Sequence, residues 1–182
     1  MTAAGSKGQL SAEELAYRAR ALGQAHPLTP LAKRFVDRAV AEQARSQPMP
    51  EIGQWAGAAV LAGYCLRRVE ETDGGLVLDV DTDVTDGTDG EGGLPLESLD
   101  SMASKIAEGI RDDTAGEHLI GDADRTVEAL ERIITSEVHR RLDNWKEQVD
   151  RAAWAELEEY LAWWVIKGYA LRAAEMAVGA VR

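Results

Sequence analysis

Two stretches of this chain carry the same side chains capable of recognising an anion. Val60-Leu61-Ala62-Gly63-Tyr64-Cys65-Leu66-Arg67-Arg68-Val69-Glu70 and Val165-Ile166-Lys167-Gly168-Tyr169-Ala170-Leu171-Arg172-Ala173-Ala174-Glu175 both read V-[LI]-x-G-Y-x-L-R-x-x-E, 105 residues apart. Two phenolic hydroxyls and two guanidinium groups brought together would suit a carboxylate or a phosphate, because arginine presents a planar fork of donors to such groups. The same residues admit a purely architectural reading. Arg67 with Glu70, and Arg172 with Glu175, are three apart and can pair within one helix or across two. A buried ion set of that kind fixes register without necessarily adding stability.

Other chemistries fare worse. An EF-hand loop started at Asp79 has acids at 79, 81 and 83, but Val84 stands where glycine belongs and Gly90 where the closing glutamate belongs. A dinuclear carboxylate bundle needs Glu-x-x-His on two helices. His139 has Ser136 at that spacing and Glu137 two residues before it, His118 follows Gly116 and Glu117, and no Glu-x-x-His occurs. With one cysteine and three histidines the supply for a structural zinc site is missing. Cys65 lies beside Arg68, but its counterpart in the second stretch is Ala170, so it reads as a small packing residue. Neither a nucleophile elbow, nor a Walker A loop, nor a dinucleotide-binding glycine pattern is present. No metal and no cofactor are expected, and no catalytic motif is recognisable.

The elements that must position the repeated residues are helical. At about 100° per residue, Val60, Gly63, Tyr64, Arg67 and Glu70 fall within one broad stripe, with Leu66 at its flank. Gly53, Ala56 and Gly57 extend that stripe with small side chains. A glycine inside a helix costs about 1 kcal/mol relative to alanine, so Gly63 and Gly168 need a reason, and a close helix crossing supplies one. The repeat thus predicts that helices over 50–71 and 150–178 pack near these glycines about an internal pseudo-twofold.

Capping signals give the rest. Ser11-Ala12-Glu13-Glu14 is a capping box that opens a helix to about residue 24. Thr29 caps the next, with Pro30 at its first position and Leu31, Phe35, Val36 and Val40 as its stripe. Pro48 and Pro50 break the chain before the first repeat. Helix resumes over 96–112, then behind Asp122 or Asp124 with Val127, Leu130, Ile133, Ile134 and Val138 as apolar positions. The last helix runs to about residue 178.

The charge is concentrated. Of 32 acids, eleven fall between Arg68 and Lys105, where no base occurs; the remaining 21 nearly balance the 20 lysines and arginines. Residues 72–95 are rich in Asp and Gly. Leu78, Val80, Thr82 and Val84 alternate there with aspartates, but aspartate disfavours strand, so the stretch reads as a solvated acidic loop. Direct nucleic-acid binding, which draws on clustered bases, is disfavoured. No apolar run nears the roughly 20 residues that span a bilayer, and Met1–Leu10 lacks the layout of a signal peptide. A lone cysteine suits a reducing cytoplasm. Trp145, Trp154, Trp163 and Trp164 gather late in the chain, which points to a central helix or to one covered by a second subunit.

The sequence therefore predicts an all-α bundle of five to six helices with an acidic insertion: a flexible tail over 1–10, N-terminal helices over 11–71, an acidic loop over 72–95, and C-terminal helices over 96–182 packing with 11–71 as one domain. The expected function is a non-catalytic binding or regulatory module, cytoplasmic and homodimeric, whose acidic loop or aromatic helix engages a protein partner. The alternative is a binder of an anionic small molecule, or an enzyme, using a symmetric pocket of Tyr64, Arg67, Glu70, Tyr169, Arg172 and Glu175.

Overall fold

The computed structural model describes residues 8–73, 96–112, 119–143 and 150–177. Among them the chain forms an all-α bundle: α1 (Ala12–Gly23), α2 (Pro30–Ser46), α3 (Glu51–Asp73), α4 (Leu96–Arg111), α5 (Ala123–Leu142) and α6 (Arg151–Ala177). No described residue is in a strand, and no helix is long and apolar enough to cross a membrane. Residues 74–95, which hold most of the acidic segment, lie outside the described residues, as do residues 1–7, His118 and Trp145.

The starts of α1, α2 and α5 follow from local chemistry. Ser11 Oγ accepts from the Glu14 amide at 3.1 Å. The reciprocal half of that box gives way to an ion pair, Arg18 donating to Glu14 at 2.8 Å. Thr29 Oγ1 accepts from the Ala32 amide at 3.1 Å with Pro30 at the first turn, and Asp122 accepts from the Asp124 amide at 3.0 Å. Between α1 and α2, His26 takes a φ of 48°, in the left-handed region, and Pro27 follows.

Helices α3 and α6 form the centre. The second half of α6, from Leu161 to Glu175, is buried almost all the way round, whereas its first half is largely exposed. A helix apolar on every side must be surrounded by protein. Helices α1 and α5 cover the α3–α6 pair on one side through Leu15, Leu66, Ile133 and Leu161. Helices α2 and α4 cover the other through Phe35, Val60, Leu99 and Leu171. Both apolar clusters draw on helices before and after the acidic segment.

The two central helices touch backbone to backbone. A Cβ added at Gly63 would lie 1.8 Å from the Val165 carbonyl oxygen, and one added at Gly168 would lie 2.0 Å from the Val60 carbonyl oxygen. Gly53 and Gly57, although on the same angular stripe, serve a different crossing. Added Cβ atoms there would meet Val40 of α2 at 2.5 Å, on its carbonyl oxygen and its side chain respectively. The small residues near the start of α3 therefore admit α2 rather than prolong the contact with α6.

A candidate site of tyrosine, arginine and glutamate at the α3–α6 crossing

From Gly63 and Gly168, the next two turns of each helix carry the repeated polar residues into the same interface. Their contacts are reciprocal. Tyr64 donates to Glu175 Oε2 at 2.7 Å, and Tyr169 donates to Glu70 Oε2 at 2.5 Å. Arg172 donates to the Tyr64 hydroxyl at 3.5 Å, and Arg67 donates to the Tyr169 hydroxyl at 3.1 Å. Each guanidinium also lies over the ring of the same tyrosine, Arg67 at 5.2 Å from the Tyr169 centroid and Arg172 at 5.7 Å from that of Tyr64. The sequence brings all six predicted site residues together.

Two threonines complete the exchange. Thr29 donates to Glu175 Oε1 at 2.5 Å while capping α2, and Thr126, in the first turn of α5, donates to Glu70 Oε1. Each glutamate is thus held by a tyrosine and a threonine from other helices. Sequence reading assigned Thr29 its cap and missed its second bond. Thr126 gave no signal, because its partner lies 56 positions away.

One residue breaks the reciprocity. Glu71 stands just outside the eleven-residue match, and Met176 occupies the corresponding place after the second copy. Glu71 takes Arg172 in a fork, with Nε at 3.2 Å from both carboxylate oxygens and Nη2 at 3.0 Å from Oε2. It also lies 3.7 Å from Arg67 Nε. Arg172 pairs with Glu175 within its own helix at 3.4 Å, as the spacing predicts, whereas the ion pair of Arg67 within α3 runs to Glu71. Three carboxylates therefore face two guanidiniums.

Burial sets what this arrangement can do. Arg172, Tyr64 and Tyr169 have no exposed surface, and Glu70, Glu71 and Glu175 are nearly as enclosed. Burial raises the Tyr64 and Tyr169 hydroxyls above the ordinary tyrosine range. The adjacent charges of Glu175 and Glu70 add to the rise, and Arg172 and Arg67 oppose it. For Arg172, burial favours the neutral form, but its bonds to Glu71 and the neighbouring acidic groups outweigh burial and raise its pKa. Cys65 is buried next to this set, and burial pushes its thiol up to about 12 despite the pull of Arg68. The tyrosines are held as phenols and the cysteine as a thiol, the unreactive form.

The tyrosines carry a pH dependence with a definite sign. Their folded pKa values exceed the unfolded value of about 10, so their contribution to stability is complete below that pH and is lost as pH rises above it. The limiting slope is about 1.4 kcal/mol per pH unit for each tyrosine. In an alkaline titration followed by tyrosinate absorbance and helical circular dichroism together, Tyr64 and Tyr169 should ionise only as helix is lost. Ionisation of all four tyrosines with the helices intact would contradict this.

Elsewhere, Lys167 of α6 binds Asp100 of α4 at 2.8 Å and donates to Ser104. It lies 5.7 Å from the ring centre of Phe35 and 5.6 Å from that of Trp163. Arg38 of α2 reaches the same Asp100 at 3.1 Å. This second set ties α2, α4 and α6 together. Among the described residues, no group of three or more His, Cys, Asp or Glu side chains is placed to hold a metal ion.

The molecule also has a surface concavity of about 560 Å³ between the start of α3 and the exposed half of α6. Met49, Ile52, Trp55, Leu142, Leu157 and Tyr160 line it. Sequence reading placed Tyr160 among the late aromatics but did not bring it together with Met49 and Trp55, which come from the other side of the chain. Comparison with protein-family profiles, with curated proteins and with solved structures finds no match.

Proposed function

We propose that this chain is a non-catalytic helical module that binds a protein partner, and that its Tyr/Arg/Glu set is the lock of the α3–α6 crossing. The observation that carries the reading is the division of labour between two places. The polar set is filled by its own partners: Arg172 is fully enclosed and engaged by Glu71, Glu175 and Tyr64. The apolar concavity beside the aromatic helix α6 is open to the surface, and Met49 in its wall is 40% exposed. Protein interfaces centre on aromatic and methionine side chains of this kind.

An internal pseudo-twofold belongs to the same proposal. Exchange of α3 with α6 carries Tyr64, Arg67 and Glu70 onto Tyr169, Arg172 and Glu175, and carries Thr29, the cap of α2, onto Thr126 of α5. Glu71 makes the pair unequal. A reducing cytoplasm remains the proposed setting, on the evidence of the single buried thiol.

The test is site-specific photo-crosslinking in cells that make the protein. A photoreactive residue at Met49 should give a discrete heavier adduct that Ile52→Lys abolishes. The same residue at Val127, exposed on α5, should give none. Absence of the Met49 adduct would overturn the reading. A thermal shift with an anionic metabolite, lost in Arg67→Ala/Arg172→Ala with helicity intact, would favour the anion-binding alternative.

A further inference from the structure

We infer that this chain is two versions of one three-helix unit, α1–α3 and α4–α6, docked on each other as the two subunits of a homodimer would be, and that Glu71 is the residue that tells the two docking faces apart. The inference rests on the pseudo-twofold proposed above and extends it from one helix pair to all six helices.

The apolar core follows the exchange residue by residue. Leu66 and Val69 of α3 lie in the cluster covered by α1 and α5, and their counterparts Leu171 and Ala174 of α6 lie in the cluster covered by α2 and α4. Val165 and Tyr169 of α6 join the first cluster, and their counterparts Val60 and Tyr64 of α3 join the second. Every pair is 105 positions apart. At the other end of the same two helices, Ile52 and Trp55 face Leu157 and Tyr160 across one concavity, again at an offset of 105.

A twofold of the helix pair alone would exchange the two faces of that pair whatever covered them. The covering helices are a separate observation. Chain order makes α1 the counterpart of α4 and α2 that of α5. In the structure α3 packs on α1 and α2, and α6 packs on α4 and α5. Between the units α1 meets α5, and α4 meets α2. The first unit runs through helices of 12, 17 and 23 residues, and the second through 16, 20 and 27. The versions have diverged in detail. Gly53 and Gly57, which admit α2, answer to Glu158 and Ala162, and Ile110 of α4 joins the cluster of α1 and α5.

An isologous interface makes each of its contacts twice, as Tyr64 with Glu175 and Tyr169 with Glu70 do here. One chain thus supplies both sides of a self-complementary face, and the Tyr/Arg/Glu set is complete without a second copy. Glu71 departs from the rule, because Met176 stands at its counterpart and is partly buried there. Glu71 therefore decides which of two equivalent arginines receives the carboxylate fork, and it gives the fork to Arg172.

The experiment moves that carboxylate across the dyad. Glu71→Met should lower the urea midpoint of the full chain, and Met176→Glu added to it should return at least half of the loss. In the Glu71→Met/Met176→Glu background, Arg67→Met should lower the midpoint by more than Arg172→Met, the reverse of the order expected in the native chain. A second variant tests the whole unit. The twofold makes the gap from the end of α6 to the start of α1 equal to that from the end of α3 to the start of α4. A circular permutant opened between Val84 and Thr85, with its original ends joined so that the new connection matches residues 74–95 in length, should keep its helicity and unfold cooperatively.

A double variant no more stable than Glu71→Met alone, or an unchanged order of the two arginine substitutions, would overturn the inference together with the pseudo-twofold. An inverted order with a permutant that loses its helices would keep the twofold of the helix pair and overturn the six-helix duplication. Neither result bears on the Met49 adduct, which tests the partner-binding reading by itself.

Discussion

Replacing Gly63 or Gly168 with alanine should destabilise the protein, although glycine-to-alanine inside a helix ordinarily stabilises by up to about 1 kcal/mol. The reversal of sign is the diagnostic feature. At Gly63 the new methyl would sit 1.8 Å from the Val165 oxygen, 2.8 Å from its carbonyl carbon and 2.9 Å from the Tyr169 nitrogen. At Gly168 it would sit 2.0 Å from the Val60 oxygen, 2.7 Å from its carbonyl carbon and 2.8 Å from its Cα. All six are backbone atoms, so no rotamer change can relieve the overlap and the helices must separate. Overpacking of a core commonly costs about 1–3 kcal/mol. With backbone on both sides, about 3 kcal/mol for each alanine is expected, and more for leucine. Gly23→Ala is the control, because its Cβ would meet only Cys65 Sγ at an ordinary 3.9 Å; a change within about 0.5 kcal/mol is expected there. Urea denaturation of the three variants decides the matter. Unchanged stability in Gly63→Leu/Gly168→Leu would sink the crossing.

The second large effect is an inequality that the repeat conceals. Arg67 and Arg172 occupy the same position of the pattern, yet Arg172→Met should cost far more than Arg67→Met. Arg172 is fully enclosed and spans Glu71 and Glu175, so its loss strands two carboxylates in the core, a change that typically costs about 3–5 kcal/mol. The Arg67 side chain retains 13% exposure and lies 3.7 Å from Glu71, so water can compensate in part. About 1–2 kcal/mol is expected. Arg172→Lys should recover little, since an ammonium cannot reproduce the fork on Glu71. Arg172→Met/Glu71→Met should cost less than the sum of its single changes, because the stranded charge is removed with its partner. Equal losses for Arg67→Met and Arg172→Met would refute the asymmetry.

The sequence made the fold class and the crossing readable, because both depend on local signals. Ser11, Thr29 and Asp122 announce helix starts, and a glycine repeated at matching places in two apolar helices announces a close approach. What escaped reading was long-range choice. Gly53 and Gly57 share an angular stripe with Gly63 but face α2, since periodicity says which residues share a side and not which helix arrives there. Glu71 was passed over because it broke the match, and the break is what gives Arg172 its strongest partner. The α3–α6 groove was invisible for a related reason: Met49 and Tyr160 become neighbours only when two distant helices diverge.

The reciprocal bonds at the crossing also bear on how the chain reaches this state. Every one of them except the Arg172–Glu175 and Arg67–Glu71 pairs joins residues roughly 55 to 145 positions apart. Contacts of such separation close late, after loop entropy has been overcome. Until α3 meets α6, Glu70, Glu71 and Glu175 keep their hydration, and no single tyrosine or arginine can replace it. Because the backbones must come within glycine distance before Tyr64 reaches Glu175 or Tyr169 reaches Glu70, desolvation and bonding of these pairs fall in one step. A rate-limiting barrier should therefore sit at the docking of α3 on α6, with Gly63 and Gly168 inside the nucleus and the peripheral helices outside it.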